Sequence, residues 1–348
     1  MASEIKIGKR KIGVMHPPFV IVEIGINHEG SMAKAKRMIR DAKKAGAECV
    51  KFQSHVVEDE MVSHKSLEGL TPSHATESVW DIIKRCAFNE RQELELKKYV
   101  EKLGMIYLCT PFSRAAADRL KKMNVVAYKI GSGECNNYPL VKHIASFRKP
   151  MIVSTGMNTV SSIKKTVSIL RKHKVPYALL NCTSMYPAPY NKIRLKGIQT
   201  LQKAFPDAVV GQSDHSLGIY TCLGAVALGA SILEKHFTSS KKWPGPDIPV
   251  SIDLPELKEL VVGSKAVWEG MGERKNILKE EQEIINFAYA SVVSIADIKK
   301  GAQFTRKNIW VKRPGTGEIL AEEFEKILGK RARKDIPKNL QLRRRDIV

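Results

Sequence analysis

No apolar run in this chain reaches the roughly 18–20 residues that a membrane span needs. The stretch Met1–Lys6 also lacks the apolar segment of a signal peptide, so the expectation is a cytoplasmic protein with no membrane partner. No CxxC pair occurs among Cys49, Cys86, Cys109, Cys135, Cys182 and Cys222, which argues against a zinc ribbon or a dithiol redox motif. Buried, reduced thiols are expected instead. Acidic residues are scarce, 36 against 58 Lys and Arg, and the formal net charge is +22. A nucleic-acid binder would interleave such charge with aromatics or set it on a recognition helix. The basic run Lys330–Arg345 contains no aromatic residue. Solvated surface and long-range attraction of anionic substrates are the expected uses of the charge, and no nucleic-acid partner is expected.

What the chain does have is a regular alternation. Short apolar runs fall at Val20–Asn27, Cys49–Ser54, Met105–Phe112, Ala127–Glu134, Met151–Met157, Tyr177–Ser184, Ala208–His215 and Ile232–Thr238. Most are continuously apolar, as parallel strands covered on both faces are. Helix-period stretches separate them, among them Met32–Ala45, Arg91–Leu103, Ala115–Met123, Ser161–Lys172 and Leu217–Leu228. Eight such units over roughly 250 residues predict an α/β fold, a (β/α)₈ TIM barrel. An open doubly wound sheet would call for a G-x-G-x-x-G turn after the first strand, and none is present. The segment His55–Asn89 is overlong and should place a loop or short helices on the active-site face. A barrel over 1–271, a linker over 272–287 with the charged run Glu273–Glu283, and a small β-rich domain over 288–348 are expected.

In a barrel of this kind chemistry sits at the C-terminal ends of the strands. Those ends carry Glu23, Asn27 and His28; Lys51 and Gln53; Thr110; Lys129, Ser132 and Glu134; Ser154 and Thr155; Thr183, Ser184 and Tyr186; Ser213, Asp214 and His215; and Glu234, Lys235 and His236. His215 and His236 close the seventh and eighth strands, and adjacent strands lie about 4.8 Å apart. Two imidazoles at matching positions predict a divalent transition-metal site. His28 fits a loop anchor or a substrate contact equally well. Lys51, Thr110, Lys129, Ser132, Ser154 and Ser213 form a ring of cations and hydroxyls suited to a phosphate or carboxylate, although any one hydroxyl could cap a helix. Two lysines facing one cavity would repel each other without a bound anion. Glu134, near them, is the candidate general acid or base, against a simple ion pair with Lys129.

Several segments together carry a resemblance: Glu23-Ile24-Gly25-Ile26-Asn27-His28, Thr110-Pro111-Phe112-Ser113-Arg114, Lys129-Ile130-Gly131-Ser132-Gly133-Glu134, Ser154-Thr155-Gly156-Met157, Ser213-Asp214-His215 and Pro244-Gly245-Pro246-Asp247. The chain resembles the bacterial sialic acid synthases over nearly its whole length, including a C-terminal antifreeze-like (SAF) domain. The resemblance implies condensation of phosphoenolpyruvate with N-acetylmannosamine to N-acetylneuraminate and phosphate. It implies His215 and His236 as metal ligands, with manganese the first choice of cation, and Lys51, Thr110, Lys129, Ser132, Ser154 and Ser213 around phosphoenolpyruvate. Glu134 corresponds to a carboxylate beside the enol carbon, and Ser184 stands where an asparagine would touch phosphate and acceptor. Glu23, Gln53, Tyr186 and Asp247 correspond to sugar contacts. Phe287 and Arg313 correspond to residues that reach the partner's barrel in a domain-swapped homodimer. Phe52 and Ser184 recur in relatives using other acceptors, so 2,4-diacetamido-2,4,6-trideoxymannose, giving legionaminic acid, is the alternative acceptor.

Overall fold

The computed structural model of the chain describes residues 3–62, 77–272 and 275–348. Residues 63–76 of the expected insertion and the first two residues of Glu273–Glu283 lie outside that range. The chain divides into two compact units, Met1–Gly272 and Glu273–Val348.

The first unit opens with an antiparallel pair, β1 (Glu4–Ile7) and β2 (Arg10–Gly13). Eight parallel strands follow: β3 (Phe19–Gly25), β4 (Cys49–Ser54), β5 (Ile106–Pro111), β6 (Tyr128–Ile130), β7 (Met151–Ser154), β8 (Tyr177–Cys182), β9 (Val209–Asp214) and β10 (Ile232–His236). Hydrogen bonds run in the order β5-β4-β3-β10-β9-β8-β7-β6, and β5 and β6 lie side by side, completing the barrel. The expected fold class is the one observed.

Period-two alternation explains both faces of these strands. Phe19 and Ile21 join Cys49, Leu108, Ile152 and Leu180 in an inner cluster, while Val20, Val22 and Ile24 belong to the outer cluster that packs on the helices. Moving along β3 in the inner register, Phe19 and Ile21 give way to Glu23, so each strand is apolar at its base and ionisable at its end. Ile5, Ile7 and Ile12 of the first hairpin join the inner cluster, giving it a base of its own. The basic residues at Lys6–Lys11 gave no hint of that apolar face.

Between the strands, helices start where short polar side chains cap them. Ser31 caps Met32–Lys44, Ser113 caps Arg114–Lys122, Asn137 caps Tyr138–Ala145 and Thr159 caps Val160–Lys172, each accepting a backbone N–H of the first turn. The helices Tyr138–Ala145 and Gly197–Ala204 were not foreseen. Within the overlong segment, Val57–Glu60 and Val79–Cys86 are helical. Helix Leu254–Gly270 ends the barrel. Among the described residues no helix is long and apolar enough to cross a membrane.

The second unit carries a helix at Gln282–Ala288, inside the segment expected as linker. Its strands β11 (Ser291–Ser294) and β12 (Ile309–Lys312) pair antiparallel. Its core is small and includes Val292, Phe304, Ile309, Ile319 and Leu342.

Candidate active site

The inner strand ends meet in a cavity of about 360 Å³. It is lined by Glu23, Lys51, Gln53, Thr110, Lys129, Ser132, Glu134, Ser154, Ser184, Tyr186, Ser213, His215 and His236, thirteen of the residues singled out from the sequence. Asp247 stands just outside, with Oδ2 3.6 Å from His236 Nδ1. Phe287 and Arg313 belong to the second unit, where the Arg313 guanidinium lies 5.5 Å over the Phe287 ring. Arg313 lines a larger open cavity there, about 1050 Å³, whose charged walls include Lys312, Arg343 and Arg345. That space holds no histidine and no paired carboxylate–hydroxyl network, so the chemistry is assigned to the smaller cavity.

Hydrogen bonds order the inner surface. Lys51 Nζ donates to Thr110 Oγ1 at 3.0 Å, and Lys129 Nζ donates to Ser154 Oγ at 2.7 Å. Gln53 Nε2 donates to Glu23 Oε1 at 2.9 Å. The two lysines are 3% and 2% exposed, so their charges need partners inside the protein. Those partners exist. Lys51 Nζ lies 2.7 Å from Glu23 Oε2, and Glu234 sits between the lysines, 3.9 Å from Lys51 and 3.4 Å from Lys129. Ser213 Oγ donates to Glu234 Oε1 at 3.0 Å. The repulsion that seemed to demand an anion is therefore met within the chain. Glu234 was visible at a strand end but was given no role. The signal was its spacing, two residues before His236 on the same face of β10.

The electrostatic balance differs between the two lysines. Burial works against the Lys51 charge, but Glu23 and Glu234 hold its pKa above the usual lysine value. Burial prevails at Lys129, helped by Lys51, and lowers its pKa although Glu234 pulls the other way. At Glu234 burial is outweighed by Lys129 and Lys51, and its pKa falls. Glu23 is raised, by burial first and by Glu234. Lys129 pairs with Glu234, so Glu134 is not consumed in the simple ion pair considered for it. Burial is the main cause that raises the Glu134 pKa, which favours its holding a proton.

Two glycines make this crowding possible. A Cβ on Gly131 would collide with Glu134 Oε2, and one on Gly156 would come 2.5 Å from Ser184 Oγ and 2.8 Å from Ser132 Oγ. Ser132 Oγ accepts the Gly156 N–H at 3.0 Å.

The histidine rings have centroids 5.4 Å apart, with Tyr186 4.1 Å from His215. His215 Nδ1 is 2.8 Å from the Thr183 carbonyl, which fixes that nitrogen as the donor in the neutral ring and leaves Nε2 a free lone pair. At His215 burial lowers the pKa, but Cys182 and the Thr183 carbonyl outweigh it and raise it. His236 is held far below its usual pKa by burial and by His215, hence neutral, and its buried Nδ1 has no hydrogen-bond partner. Among the described residues no group of three or more His, Cys, Asp or Glu is gathered as a metal cage. The orphaned Nδ1 beside a second imidazole still fits a cation bound by two protein nitrogens, with water or substrate completing the shell. Burial and Glu23 push Asp247 up to about 6.

Asn27, His28, Thr155, Thr183, Asp214 and Lys235, also named at strand ends, do not line the cavity. His28 is an anchor: its Nδ1 accepts the Gly30 N–H at 3.0 Å, its ring stacks on Phe88, and burial pushes its pKa down to about 3. Phe52 stacks on Tyr107 in the outer layer and does not line the cavity. Cys182, Phe112 and Met157 do line it and were not anticipated as site residues.

Comparison with known proteins places this geometry. Residues 38–276 match the NeuB family and residues 289–348 match the SAF domain. The chain is 38% identical to the N,N'-diacetyllegionaminic acid synthase of Campylobacter jejuni, over 92% of this chain and 97% of that one. It is 35% identical to the human N-acetylneuraminate-9-phosphate synthase, over 92% and 90%. The crystal structure of the N-acetylneuraminic acid synthetase of Leptospira borgpetersenii superposes with a TM-score of 0.75 at 34% identity, covering 82% of this chain and 96% of that one. The chain belongs to the NeuB family and is an enzyme of the sialic acid synthase type with a C-terminal SAF domain.

Proposed function

We propose that the chain condenses phosphoenolpyruvate with N-acetylmannosamine and water to give N-acetylneuraminate and phosphate. The observation that carries this reading is one cavity holding two buried lysines flanked by hydroxyls, the Glu134 carboxyl with its raised pKa and two adjacent imidazoles. Lys51 and Lys129 bind the phosphate and carboxylate of phosphoenolpyruvate, with Thr110, Ser132, Ser154 and Ser213 as short donors. The enol carbon adds to the aldehyde carbon of the open-chain sugar. Water adds to the neighbouring carbon, and the carbon–oxygen bond to phosphate then breaks. Lys51, the cation with the raised pKa, stays charged to receive the departing phosphate. Glu134 passes the proton between water and the developing product. Glu23 and Gln53, hydrogen-bonded to each other, orient the acceptor's hydroxyls. A divalent cation, manganese first, would be held by His215 and His236 and would supply Lewis-acid polarisation of the aldehyde oxygen.

The second unit belongs to this reading as well. Phe287 is 65% exposed, and Ile277, Leu278, Ile284 and Tyr289 of the same stretch of chain are exposed as well, apolar surface suited to a second protomer. We place Arg313 of one protomer at the acceptor site of its partner in a homodimer. A second acceptor, 2,4-diacetamido-2,4,6-trideoxymannose, is favoured by Ser184 in the cavity wall. Phosphate release from phosphoenolpyruvate, measured with each sugar and with the product weighed by mass spectrometry, tests the assignment. Release with N-acetylmannosamine and a product of N-acetylneuraminate mass is expected. Release with neither sugar overturns it.

A further inference from the structure

A second cavity, of about 280 Å³, adjoins the first, and its chemistry is opposite. Its walls are the alkyl side chains of Ile26, Val79, Ile82 and Ile83, with Tyr186 and Asp247 on one side. Tyr186 lines both cavities, and the Asp247 carboxylate lies 3.6 Å from His236 of the first. Tyr186 is thus the residue common to both linings, and Asp247 stands beside it in the second. Ile26 and Ile82 are buried together with Cys86, whereas Val79 and Ile83 are half-buried.

The lining selects the occupant. A hydroxyl pushed among four alkyl side chains would lose water and find no partner. An alkyl group would gain from the same burial. At the mouth, an ionised carboxylate can only accept hydrogen bonds, so it suits an N–H. An amide nitrogen at the mouth with its alkyl end inside satisfies both requirements at once.

We propose that this cavity is an acyl subsite, in which the acceptor's acylamino N–H donates to Asp247 and its alkyl end lies between Ile26, Val79, Ile82 and Ile83. This rests on the acceptor being an acylated amino sugar. A water molecule takes up roughly 30 Å³ of liquid and a methyl group is of comparable size, so the space exceeds what the single methyl of an acetyl group fills. The chain therefore accepts, and favours, acyl groups longer than acetyl.

The test uses the full chain at saturating phosphoenolpyruvate with N-acetyl-, N-propanoyl- and N-butanoylmannosamine. For the native protein kcat/KM is expected to rise about fourfold per methylene, from about 0.8 kcal/mol for each CH₂ buried. Ile83→Ser, and independently Val79→Ser, should flatten that rise, with thermal melting reporting on the fold of each variant. A flat or falling series in the native protein, while N-acetylmannosamine turns over, overturns the subsite and leaves the reaction standing. A rise that both serine variants preserve also overturns it. A flat series with a changed oligomeric mass in Ile83→Ser would give the cavity to a second copy of the chain. Silence with every acceptor removes the reaction, and the subsite with it.

Discussion

In the barrel, Lys51 and Glu23 face each other at 2.7 Å with side chains 4% and 2% exposed; in the second unit, Lys299 and Asp335 pair at 3.0 Å with side chains 83% and 62% exposed. The same two types of charge thus meet in different solvents. An exposed pair is screened and contributes little. A desolvated pair interacts strongly and is costly to assemble. Beyond the active site the barrel buries a further pair, Lys235 and Asp214 at 2.6 Å, on neighbouring residues of the two strands that present His236 and His215. The barrel thus holds lysine–carboxylate pairs in which both partners are buried, whereas in the Lys299–Asp335 pair of the second unit both partners stand in solvent.

Chelation, which tests the proposed cation, would sharpen that contrast most. His215 and His236 are buried nitrogens that carry too little charge to polarise an aldehyde alone. Chelation is expected to abolish phosphate release and added manganese to restore it. His215→Ala and His236→Ala should each lose bound metal, read by elemental analysis, together with turnover. Full activity after dialysis against excess chelator would sink the metal assignment.

Next in size is Glu134. Its carboxyl is raised by burial and is not ion-paired to Lys129. Glu134→Ala should lower kcat by roughly 10²–10⁴ while phosphoenolpyruvate affinity stays within a few-fold. Normal turnover, or a chain that no longer folds, would move Glu134 from chemistry to structure.

The trans role proposed for Arg313 would break the contrast, because it would make the barrel's chemistry depend on the other unit. A truncated chain ending at Gly272 should fold and bind phosphoenolpyruvate with a sharply raised acceptor KM. Mixing Arg313→Ala with His236→Ala chains is more decisive. A mixed dimer has one site bearing both lesions and one bearing neither, so activity should partly return. A mixture that stays inactive after exchange is demonstrated would place Arg313 in its own chain's site.

These expectations owe unequal amounts to the sequence. The barrel was legible because continuous apolar runs such as Met151–Ser154 alternate with capped amphipathic helices, and because polar residues gather only at strand ends. The first hairpin was not, since Ile5, Ile7 and Ile12 are scattered among lysines and reveal an apolar face only when folded against the barrel base. Fourteen of the lining residues, Glu234 among them, were readable from their positions at or just past strand ends, but pairing was not. Which carboxylate meets Lys129 depends on β6 and β10 facing each other across the barrel, a distance that no sequence spacing encodes. His28 shows the same limit from the other side, because a strand-end position does not say which face a residue takes.

The smallest expected effect concerns that unforeseen pairing. Lys129 carries a pKa below the usual lysine value because burial outweighs Glu234, whereas Lys51 lies above it. A cation with a lowered pKa loses its charge at lower pH than a free lysine would. Its attraction for an anion is therefore complete below that lowered pKa and fades as pH rises through it, before Lys51 begins to titrate. The kcat/KM for phosphoenolpyruvate should fall on the alkaline side through this one limb. Glu234→Gln removes the carboxylate 3.4 Å from Lys129 that favours its charged form. The alkaline limb should then move to lower pH, raising KM for phosphoenolpyruvate by a factor of a few at mildly alkaline pH. Glu234 also pulls on Lys51, but that lysine keeps Glu23 at 2.7 Å and should stay charged across the range. A limb that stays put or moves to higher pH in Glu234→Gln would mean that Lys129 does not carry the charge that binds the substrate.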